Sequence, residues 1–305
     1  MKRIYAAYHK EPEEIEKSSS GAMFVAISDE ILRQKGIVVG AVYDYKLGEL
    51  EHKICRTAEE RDACRGSKYF QSRIGKNIYE EIVRELENEI PVLFVGTPCQ
   101  VMAVKRYVYL KRGNDNSLLT CDIVCHGVGS YGVWRSFCNW KRKEFSFLTF
   151  KDKKKGWLHP RCVAKAQNKK VSLRGYSWLY FSNAIMRPVC YECCFANAER
   201  VGDFTIGDFW KVKTKVPEIF NSRGTSFLMV NTDKAELFFD LIKSDLVYKK
   251  VEIEDVMQNN MQHPTKKPNC RAEVMEDFTH KNSGRFFKKW EIKILIDKLK
   301  QKLDK

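Results

Sequence analysis

The stretch from Pro91 to Val124 reads as strand, helix and strand, and this pattern limits the fold more than any other feature of the sequence. Pro91–Gly96 and Leu118–Val124 are short apolar runs, rich in β-branched residues, of the kind that form buried strands. We expect the helix between them to end near Lys111. Such a unit closes as a right-handed crossover, so the two strands should be parallel and adjacent.

Three residues mark the start of the predicted helix. Thr97 is placed to be its N-cap, Pro98 to take the first helical position, and Gln100 to complete a capping box. Gly113 begins the turn-forming run that separates the helix from the second strand. The capping and turn residues therefore support the crossover independently of the hydrophobic pattern.

Four cysteines in three separate segments are the main candidates for metal ligands. Cys99 follows the first strand of the unit and Cys125 follows the second, so both should leave the sheet at its carboxyl edge, where open α/β sheets bind ligands. Cys190 and Cys193 form a closely spaced pair further along the chain. Two single thiolates and a pair suit a 4Fe-4S cluster, and the same four would also suit a structural zinc ion.

Composition favours an intracellular metalloprotein. Eleven cysteines in 305 residues are too few for a disulfide scaffold and are an odd number, and we find no hydrophobic signal peptide. We therefore expect reduced thiols and a cytoplasmic location. No apolar run approaches the roughly 18 residues that a membrane span needs.

The formal net charge of +15 requires a partner or a solvated basic face. No helix-turn-helix, zinc-finger or RNA-binding aromatic pattern accompanies it, so we expect no nucleic-acid binding. The remaining candidates are a phosphorylated cofactor, an acidic protein and an anionic membrane surface. The basic amphipathic helix predicted at Trp290–Leu299 should pack on the protein, with peripheral membrane contact as the alternative.

The pattern as a whole predicts an α/β fold: a mixed sheet whose parallel βαβ unit carries two of the cysteines, plus a smaller irregular α+β part. We divide the chain into an irregular N-terminal segment (1–17), a catalytic domain (18–245) and a basic, mostly helical C-terminal extension (246–305). Further elements are expected as a helix opened by Ser18–Gly21 and stopped at Gly36, a strand at Ile37–Tyr43, a helix at Asn77–Glu89, broken strand-like pieces at Phe145–Tyr180, strands at Asp203–Phe209 and Ser226–Val230, and a helix at Lys234–Ile242.

Six motifs give the chain a family resemblance that covers roughly Ser18 to Phe287. They are Ser18–Gly21, Arg65–Ser72, Gly96–Gln100, Cys125–Val128, Cys190–Phe195 and Gly202–Trp210. In this order they resemble the coenzyme F420 hydrogenase/dehydrogenase beta-subunit family.

The resemblance implies an iron-sulfur flavoprotein oxidoreductase that uses a 4Fe-4S cluster and FAD. The implied cluster ligands are Cys99, Cys125, Cys190 and Cys193, with Cys194 as a competitor for the role of Cys193. Relatives reduce deazaflavins or serve chlorophyll pathways, and short bacterial relatives are associated with cell-surface polysaccharide synthesis. Many relatives carry a ferredoxin-like segment with further clusters that this sequence lacks, so we expect an external donor such as ferredoxin or flavodoxin.

Two segments are candidates for the FAD site. A Ser-rich turn at a helix N-terminus, Ser18, Ser19, Ser20 and Gly21, offers N–H groups and hydroxyls to a pyrophosphate. Charge-assisted bonds would come from the turn Arg65, Gly66, Ser67 and Lys68, and Asp208 would contact a ribose or bond backbone. The alternative is a capped helix and a surface turn. Ala22 replaces a glycine common in relatives.

His126 and Lys68 are the candidates for catalytic residues. His126 would donate a proton or a hydrogen bond, or orient its loop, and Lys68 would bond the flavin edge. Asp203 is expected to be structural.

A non-catalytic iron-sulfur or interaction protein of a glycan-assembly pathway, without flavin, is the alternative function. The remaining cysteines are interpreted as ordinary thiols: Cys55, Cys64, Cys121, Cys138, Cys162 and Cys270.

Overall fold

The computed structural model describes residues 3–141, 145–167 and 169–303, and the side chains of all of these except 294 and 297–303. The strands are β1 (Arg3–His9), β2 (Ile37–Asp44), β3 (Glu49–Cys55), β4 (Val92–Gly96), β5 (Leu118–Ile123), β6 (Phe147–Asp152), β7 (Arg161–Ala166), β8 (Lys169–Ser172), β9 (Phe204–Asp208), β10 (Ser226–Val230) and β11 (Leu246–Lys250).

The α-helices are α1 (Pro12–Lys17), α2 (Met23–Arg33), α3 (Ala58–Asp62), α4 (Lys76–Glu87), α5 (Pro98–Arg112), α6 (Tyr131–Lys141), α7 (Arg174–Phe181), α8 (Val212–Lys215), α9 (Asp233–Ile242), α10 (Ile253–Val256), α11 (Arg271–His280) and α12 (Ser283–Leu303). Short 3-10 helices span Pro188–Glu192, Pro217–Ile219, Lys243–Asp245 and Asn259–Met261.

The main sheet has the strand order β11-β1-β10-β9-β5-β4-β2-β3. Its centre is parallel, because β2 pairs with β4, β4 with β5 and β5 with β9 in the same direction. The outer strands pair antiparallel. Leu93 lies opposite Leu119, so the predicted parallel, adjacent pair is confirmed. The predicted capping box is also present, since Gln100 Oε1 accepts a hydrogen bond from the Thr97 N–H at 3.1 Å.

Helices cover both faces of this sheet. On one face α2 and α9 pack against the strands through side chains such as Ile27 and Phe239. On the other face α4 and α5 bury residues that include Ile82 and Val104 against Phe94. Burial on both faces explains why the central strands read as nearly continuous apolar runs. The predicted α/β class with a mixed sheet is confirmed.

A smaller part is built around the antiparallel sheet β6-β7-β8 and the helices α6, α7, α11 and α12. Its core centres on Trp134, which is fully buried and stacks on Phe70 with ring centroids 4.5 Å apart. Trp290 of α12 is buried too, and its Nε1 donates to Asp277 at 2.9 Å. The C-terminal helix therefore packs on the protein, as predicted, while Ile292 and Leu295 stay exposed.

The N-terminal segment corrects the sequence prediction. Residues 3–17 are not irregular, because β1 lies between β10 and β11 and α1 follows it. Ile4 pairs with Met229 and Tyr8 with Val247, so the partners of β1 are distant in the sequence and leave no local signal. Residues 1–2, at the start of the predicted segment, lie outside the described residues.

Two further predictions need correction. The predicted strand-like pieces of Phe145–Tyr180 appear as β6 to β8, but Arg174–Phe181 is helical. Tyr176 and Tyr180, one helical turn apart, are both buried, so tertiary packing decides against the strand preference of aromatic residues. β11 pairs with β1 in the main sheet, so the predicted domain boundary between residues 245 and 246 would cut β11 off from the sheet to which it belongs. Residues 304–305 of that extension lie outside the described ranges.

Across the part of the chain that the structure describes, no helix combines the length and the apolar character needed to cross a bilayer.

A buried ion pair ties β5 to the segment that follows Cys193. The side chains of Asp122 and Arg200 are 0% and 1% exposed, and Arg200 Nη2 donates to Asp122 Oδ1 at 2.8 Å. The other carboxylate oxygen accepts from the N–H groups of Val201 (3.1 Å) and Gly202 (2.8 Å). Arg200 also donates to carbonyls of the preceding loop, at Phe195 and Asn197. The pair thus holds this loop against the carboxyl end of β5.

Replacing Arg200 by methionine should lower the free energy of unfolding by about 3–5 kcal/mol, because the buried carboxylate of Asp122 loses its counter-charge. Urea denaturation of the wild type and the variant measures the loss. Arg73→Met is the matched control: its side chain is 67% exposed and its ion pairs with Glu49 and Glu51 should contribute only about 0.5 kcal/mol. An equal loss of unfolding free energy in the two variants would contradict the stabilising role of the buried Asp122–Arg200 pair.

His52 on β3 is a buried histidine that stays neutral. It is 2% exposed, lies 3.1 Å from the Val95 carbonyl through Nε2, and stacks on Phe94 with ring centroids 5.1 Å apart. Burial lowers its pKa from 6.5 to about 4. The folded state therefore resists a proton that the unfolded chain accepts near pH 6.5.

The stability contributed by neutral His52 is present above pH 6.5 and is lost as the pH falls through the folded-state pKa of about 4. We expect the wild type to lose about 3 kcal/mol more over this range than a His52→Gln variant, since each pKa unit is worth about 1.4 kcal/mol. Urea denaturation at several pH values tests this, with exposed His280→Gln as the control. Parallel stability profiles for the wild type and His52→Gln would disprove it.

Candidate functional site

Three cysteine-bearing segments meet at the carboxyl edge of the main sheet. Cys99 lies in the first turn of α5, directly after β4, and its Sγ is 3.2 Å from Thr97 Oγ1. Cys125 lies in the loop that follows β5. The 3-10 helix Pro188–Glu192 carries Cys190, and Cys193 follows it. We call Cys99, Cys125, Cys190 and Cys193 the cysteine set.

The loop of Cys125 touches the segment of Cys190 directly. Gly127 has a φ of +99°, and a Cβ at this position would be 3.1 Å from Cys190 Cβ, so only glycine fits without strain. The next residues run antiparallel to the chain before Cys190: Ser130 N–H donates to the Ile185 carbonyl at 2.7 Å, and Arg187 N–H to Val128 at 3.0 Å. Backbone contacts therefore fix the two segments relative to each other.

Electrostatic contacts join all four thiols. The pKa of Cys125 is raised to about 12, mainly by burial and in part by Cys99, Cys190 and Cys193, while a 3.3 Å hydrogen bond from the Gly127 N–H acts in the opposite direction. Burial also raises the pKa of Cys190, with Cys193 and Cys99 adding to the effect. Four thiols that oppose one another's ionisation are the donors that a cationic metal centre would stabilise as thiolates.

Cys194 lies outside this set. It is exposed, and its carbonyl accepts a hydrogen bond from Asn197 Nδ2 at 2.8 Å, while the thiols that act on Cys125 are the other three of the set. Among the described residues, no group of three or more His, Cys, Asp or Glu side chains has the spacing for a single metal ion. Thiolates round a four-iron cubane stand further apart than those round one ion.

The cysteine set is open to solvent on one side. Cys99 is exposed, and Val189, next to Cys190 in the chain, is 62% exposed. Cys125 is half-buried, and Tyr180 donates a hydrogen bond to the carbonyl of nearby Gly127 at 3.0 Å. The set thus has a solvent side and a protein side.

The two segments predicted to bind flavin lie together. Ser19 Oγ is 3.0 Å from Ser67 Oγ and accepts from the Ser67 N–H at 2.8 Å. Their neighbours Ser20 and Gly21 are committed to the sheet: Ser20 Oγ donates to the Thr225 carbonyl (3.0 Å), and the Gly21 N–H donates to Ser226 Oγ (2.9 Å). Ser18 and Ser19 are thus the parts of this turn that remain for a ligand.

Two buried polar atoms in these segments have no hydrogen-bond partner among the described residues: Ser18 Oγ and Arg65 Nη1. The rest of the Arg65 guanidinium pairs with Glu14 and, at 2.6 Å, with Asp62. Gly66, next in the chain, has a φ of +83° and open space where a Cβ would be. Buried groups without partners are costly, so these atoms mark a place where a polar ligand would fit.

Lys68 is oriented differently from the prediction. Its Nζ donates to the carbonyls of Cys64 (2.7 Å), Arg65 (2.8 Å) and Ala41 (3.0 Å), so its three protons are engaged by backbone. Burial lowers its pKa to about 8. In this arrangement Lys68 holds the turn in place and has no free donor for a phosphate.

Asp208, at the end of β9, forms a buried ion pair with Lys151. Trp157 Nε1 donates to the same carboxylate at 3.4 Å, and Trp157 stacks on Trp210 with ring centroids 5.4 Å apart. The structure therefore gives Asp208 a cation partner from the smaller sheet, which the sequence did not predict. Asp203 is structural, as expected, since its carboxylate accepts from the Thr120 N–H at 2.8 Å.

His126 lies near this ion pair and lines a groove of about 320 Å³ together with Trp210 and Lys211. Burial lowers the pKa of His126, and Lys151 lowers it further. Its carbonyl accepts from Thr265 Oγ1 at 2.6 Å. His126 is thus a neutral imidazole at the wall of a groove, one residue from Cys125.

Tyr69 lies between the Ser67 turn and the loop that carries Cys125. Its ring stacks on Tyr180 with centroids 4.7 Å apart, and Tyr180 bonds the loop of Cys125. The Tyr69 phenol interacts with Ser67 and with Lys151, and burial raises its pKa. The sequence analysis missed Tyr69, Lys151, Asp122 and Arg200 as site residues. Only Asp122 carried a signal, a carboxylate inside an apolar strand.

Comparison with known proteins identifies the fold and the family. Residues 91–256 match the family model that describes the C terminus of the beta subunit of coenzyme F420 hydrogenase/dehydrogenase. A chain of the F420-reducing [NiFe] hydrogenase complex from Methanosarcina barkeri, solved as a xenon derivative, matches with a TM-score of 0.54 and 14% identity, over 96% of this chain and 91% of that chain. At this identity the likeness shows the fold alone. No curated protein sequence matches.

The family match spans every residue of the cysteine set and more than half of the 305 residues. The resemblance inferred from the six motifs is therefore confirmed, and the fold agrees with it. The chain belongs to the coenzyme F420 hydrogenase/dehydrogenase beta-subunit family.

Proposed function

We propose that this chain is an iron-sulfur flavoprotein oxidoreductase. It takes single electrons from an external donor at a 4Fe-4S cluster bound by Cys99, Cys125, Cys190 and Cys193, and uses FAD to reduce a substrate. The observation that carries the proposal is the convergence of four thiols from three chain segments at the carboxyl edge of the sheet. Family membership supports a redox role.

The cysteine set fits the cluster in chemistry and in its surroundings. Thiolates are the usual ligands of 4Fe-4S clusters, and the Gly127 N–H bonded to Cys125 Sγ is the kind of contact that tunes their potential. The exposed side at Cys99 and Val189 gives a donor access to the cluster edge. The excess of positive charge favours an acidic donor protein of the ferredoxin or flavodoxin type.

The FAD site is supported by the unpartnered Ser18 Oγ and Arg65 Nη1. We assign both to the pyrophosphate, with Ser19 and Ser67 positioning the two turns through their mutual hydrogen bond. Lys68 keeps the second turn in shape rather than binding phosphate. When bound, FAD supplies the step that pairs single electrons into a hydride equivalent.

The residues between the two halves exclude water and position the reacting groups. Tyr69 and Tyr180 fill the space between Ser67 and the Cys125 loop with stacked rings. Asp208 holds Lys151 as a buried cation that faces Tyr69 and the Trp210 ring, 5.1 Å from its centroid. We assign His126, whose lowered pKa keeps the imidazole neutral, to proton exchange with a substrate in the adjoining groove.

We place the substrate among small organic acceptors: a deazaflavin, or a precursor of cell-surface polysaccharide. The structurally similar hydrogenase complex is described as F420-reducing, which supports the deazaflavin class. The groove at His126 is lined by the aromatic Trp210 and by both Lys211 and Asp255, and the Trp210 ring suits a flat molecule.

Replacing Cys125 by alanine should abolish the iron-sulfur centre, because a cubane cluster needs all four thiolates and Cys125 interacts with the other three. We expect about four irons and a matching amount of sulfide per wild-type chain after anaerobic purification, and a loss of most of both in the variant. Iron and sulfide assays with the visible spectrum measure this. Cys194→Ala and Cys162→Ala are the controls and should keep wild-type iron.

Zinc in place of iron in the wild-type protein, without sulfide, would overturn the iron-sulfur assignment. Loss of iron in Cys194→Ala with retention in Cys193→Ala would show that Cys194 is the ligand.

Replacing Ser18 by alanine should weaken FAD binding by about 5–10-fold, since one hydrogen bond to the pyrophosphate is lost. The melting temperature without FAD should not fall, because the Ser18 hydroxyl has no partner to lose among the described residues. Arg65→Met should weaken binding more, by about 10–100-fold, through loss of a charged donor. Fluorescence titration with FAD measures both affinities.

Ser244→Ala is the matched control for the FAD titration, because Ser244 is exposed and its hydroxyl bonds to its neighbour Asp245. Unchanged FAD affinity in both Ser18→Ala and Arg65→Met would exclude this site, while leaving the iron-sulfur assignment standing.

A further inference from the structure

Cys55 and Cys64 form a close thiol pair away from the cysteine set. Cys55 is the last residue of β3 and Cys64 follows α3, and their Sγ atoms are 3.7 Å apart. Cys55 is buried and Cys64 is half-buried. The interpretation of both as ordinary thiols misses this contact, because no spacing rule for ligands or redox motifs connects the two positions.

Cys64 occupies space that a glycine on β2 leaves open. Gly40 of β2 faces Cys64, and a Cβ on Gly40 would be 2.9 Å from Cys64 Sγ and 3.1 Å from its Cβ. The missing side chain thus makes the space that Cys64 occupies. A disulfide needs the sulfurs to approach by about 1.6 Å from their 3.7 Å separation.

The two thiols are electrostatically unequal. The hydrogen bond from Cys55 lowers the pKa of Cys64, and the Lys68 ammonium and the Arg61 guanidinium add to this. The same contact, together with burial, raises the pKa of Cys55. Cys64, which is also the more accessible, therefore has the character of an attacking thiol, and Cys55 that of a resolving thiol.

We propose that Cys55 and Cys64 form a thiol–disulfide exchange site whose substrate is a disulfide. The Cys64 thiolate attacks one sulfur of the substrate, breaks its S–S bond and releases one thiolate. Cys55 then loses its proton to that thiolate, attacks Cys64 Sγ and releases the second one. The two cysteine sulfurs lose two electrons, and the substrate disulfide gains them and leaves as one thiol and one thiolate.

The thiol pair is connected to the turn of Arg65 to Lys68, so its oxidation state can affect that turn. The Cys64 carbonyl accepts from Lys68 Nζ at 2.7 Å, and Arg65 follows Cys64 directly. Oxidation removes a thiol whose ionised form the Lys68 ammonium favours, and it ties Cys64, just after α3, to the end of β3. An effect on FAD affinity would rest on the proposed function, whereas the exchange reaction itself does not.

The test is peptide mapping of the full-length, anaerobically purified protein after equilibration in glutathione buffers of increasing oxidised fraction. Free thiols are alkylated, and trypsin then releases Cys55 within residues 54–56 and Cys64 within residues 62–65. We expect the two peptides to appear joined by a disulfide under oxidising buffer and separately alkylated under reducing buffer. Alkylated Cys55 and Cys64 throughout, or Cys64 joined to another cysteine, would overturn the proposal.

Two variants separate the roles of the thiols. In Cys55→Ser we expect Cys64 to accumulate as a mixed disulfide with glutathione, since no resolving thiol remains. In Cys64→Ser we expect Cys55 to stay reduced, because it is buried. The midpoint of urea denaturation of each variant reports whether the protein is intact. Glutathione on Cys55 but not on Cys64 would contradict the assignment of the attacking thiol.

Discussion

The ion pair between Asp122 and Arg200 is the constraint on which the geometry of the site depends. A carboxylate inside an apolar strand is tolerable only when it is paired, and here it binds one guanidinium and two backbone N–H groups. The guanidinium also bonds carbonyls of the loop after Cys193. One interaction thus anchors the strand that leads to Cys125 and the loop that follows Cys190 and Cys193. It acts together with the backbone hydrogen bonds of Ser130 and Arg187, which join the Cys125 loop to the chain before Cys190.

The site has two parts, the cysteine set and the turns that carry Ser18 and Arg65, and stacked aromatic rings lie between them. On one side lie the thiols, with Cys99 exposed and Cys125, Cys190 and Cys193 half-buried. On the other lie Ser18 and Arg65 with polar atoms that lack partners among the described residues. The stacked rings of Tyr69 and Tyr180 occupy the space between them. This separation suits a protein that must admit electrons at one surface and keep water from the reacting groups at another.

The predictions that held were those based on local chemistry. Thr97 and Gln100 mark the helix start through a contact within one turn, and the apolar run of β4 needs only its own residues to be recognised. β1 was missed because its partners, such as Met229 and Val247, lie far away along the chain. Lys151 was missed for the same reason: its partner Asp208 belongs to another sheet, and no periodicity encodes that pairing. The orientation of Lys68 toward carbonyls depends equally on tertiary structure.

The position of β1 has a consequence for the order in which the protein can be assembled. β1 is synthesised before every other strand described, yet its neighbours in the sheet are β10 and β11, which leave the ribosome much later. The parallel centre, with β4 and β5, depends on strands close in sequence and can form earlier, because short loops cost less entropy to close. The Ser18–Gly21 turn reaches its final structure only after β10 has been synthesised, because Ser226 of β10 accepts the hydrogen bond of the Gly21 N–H. The thiols of the cysteine set can thus converge before the Ser18–Gly21 turn is complete, and under the proposed function the cluster would be loaded before FAD.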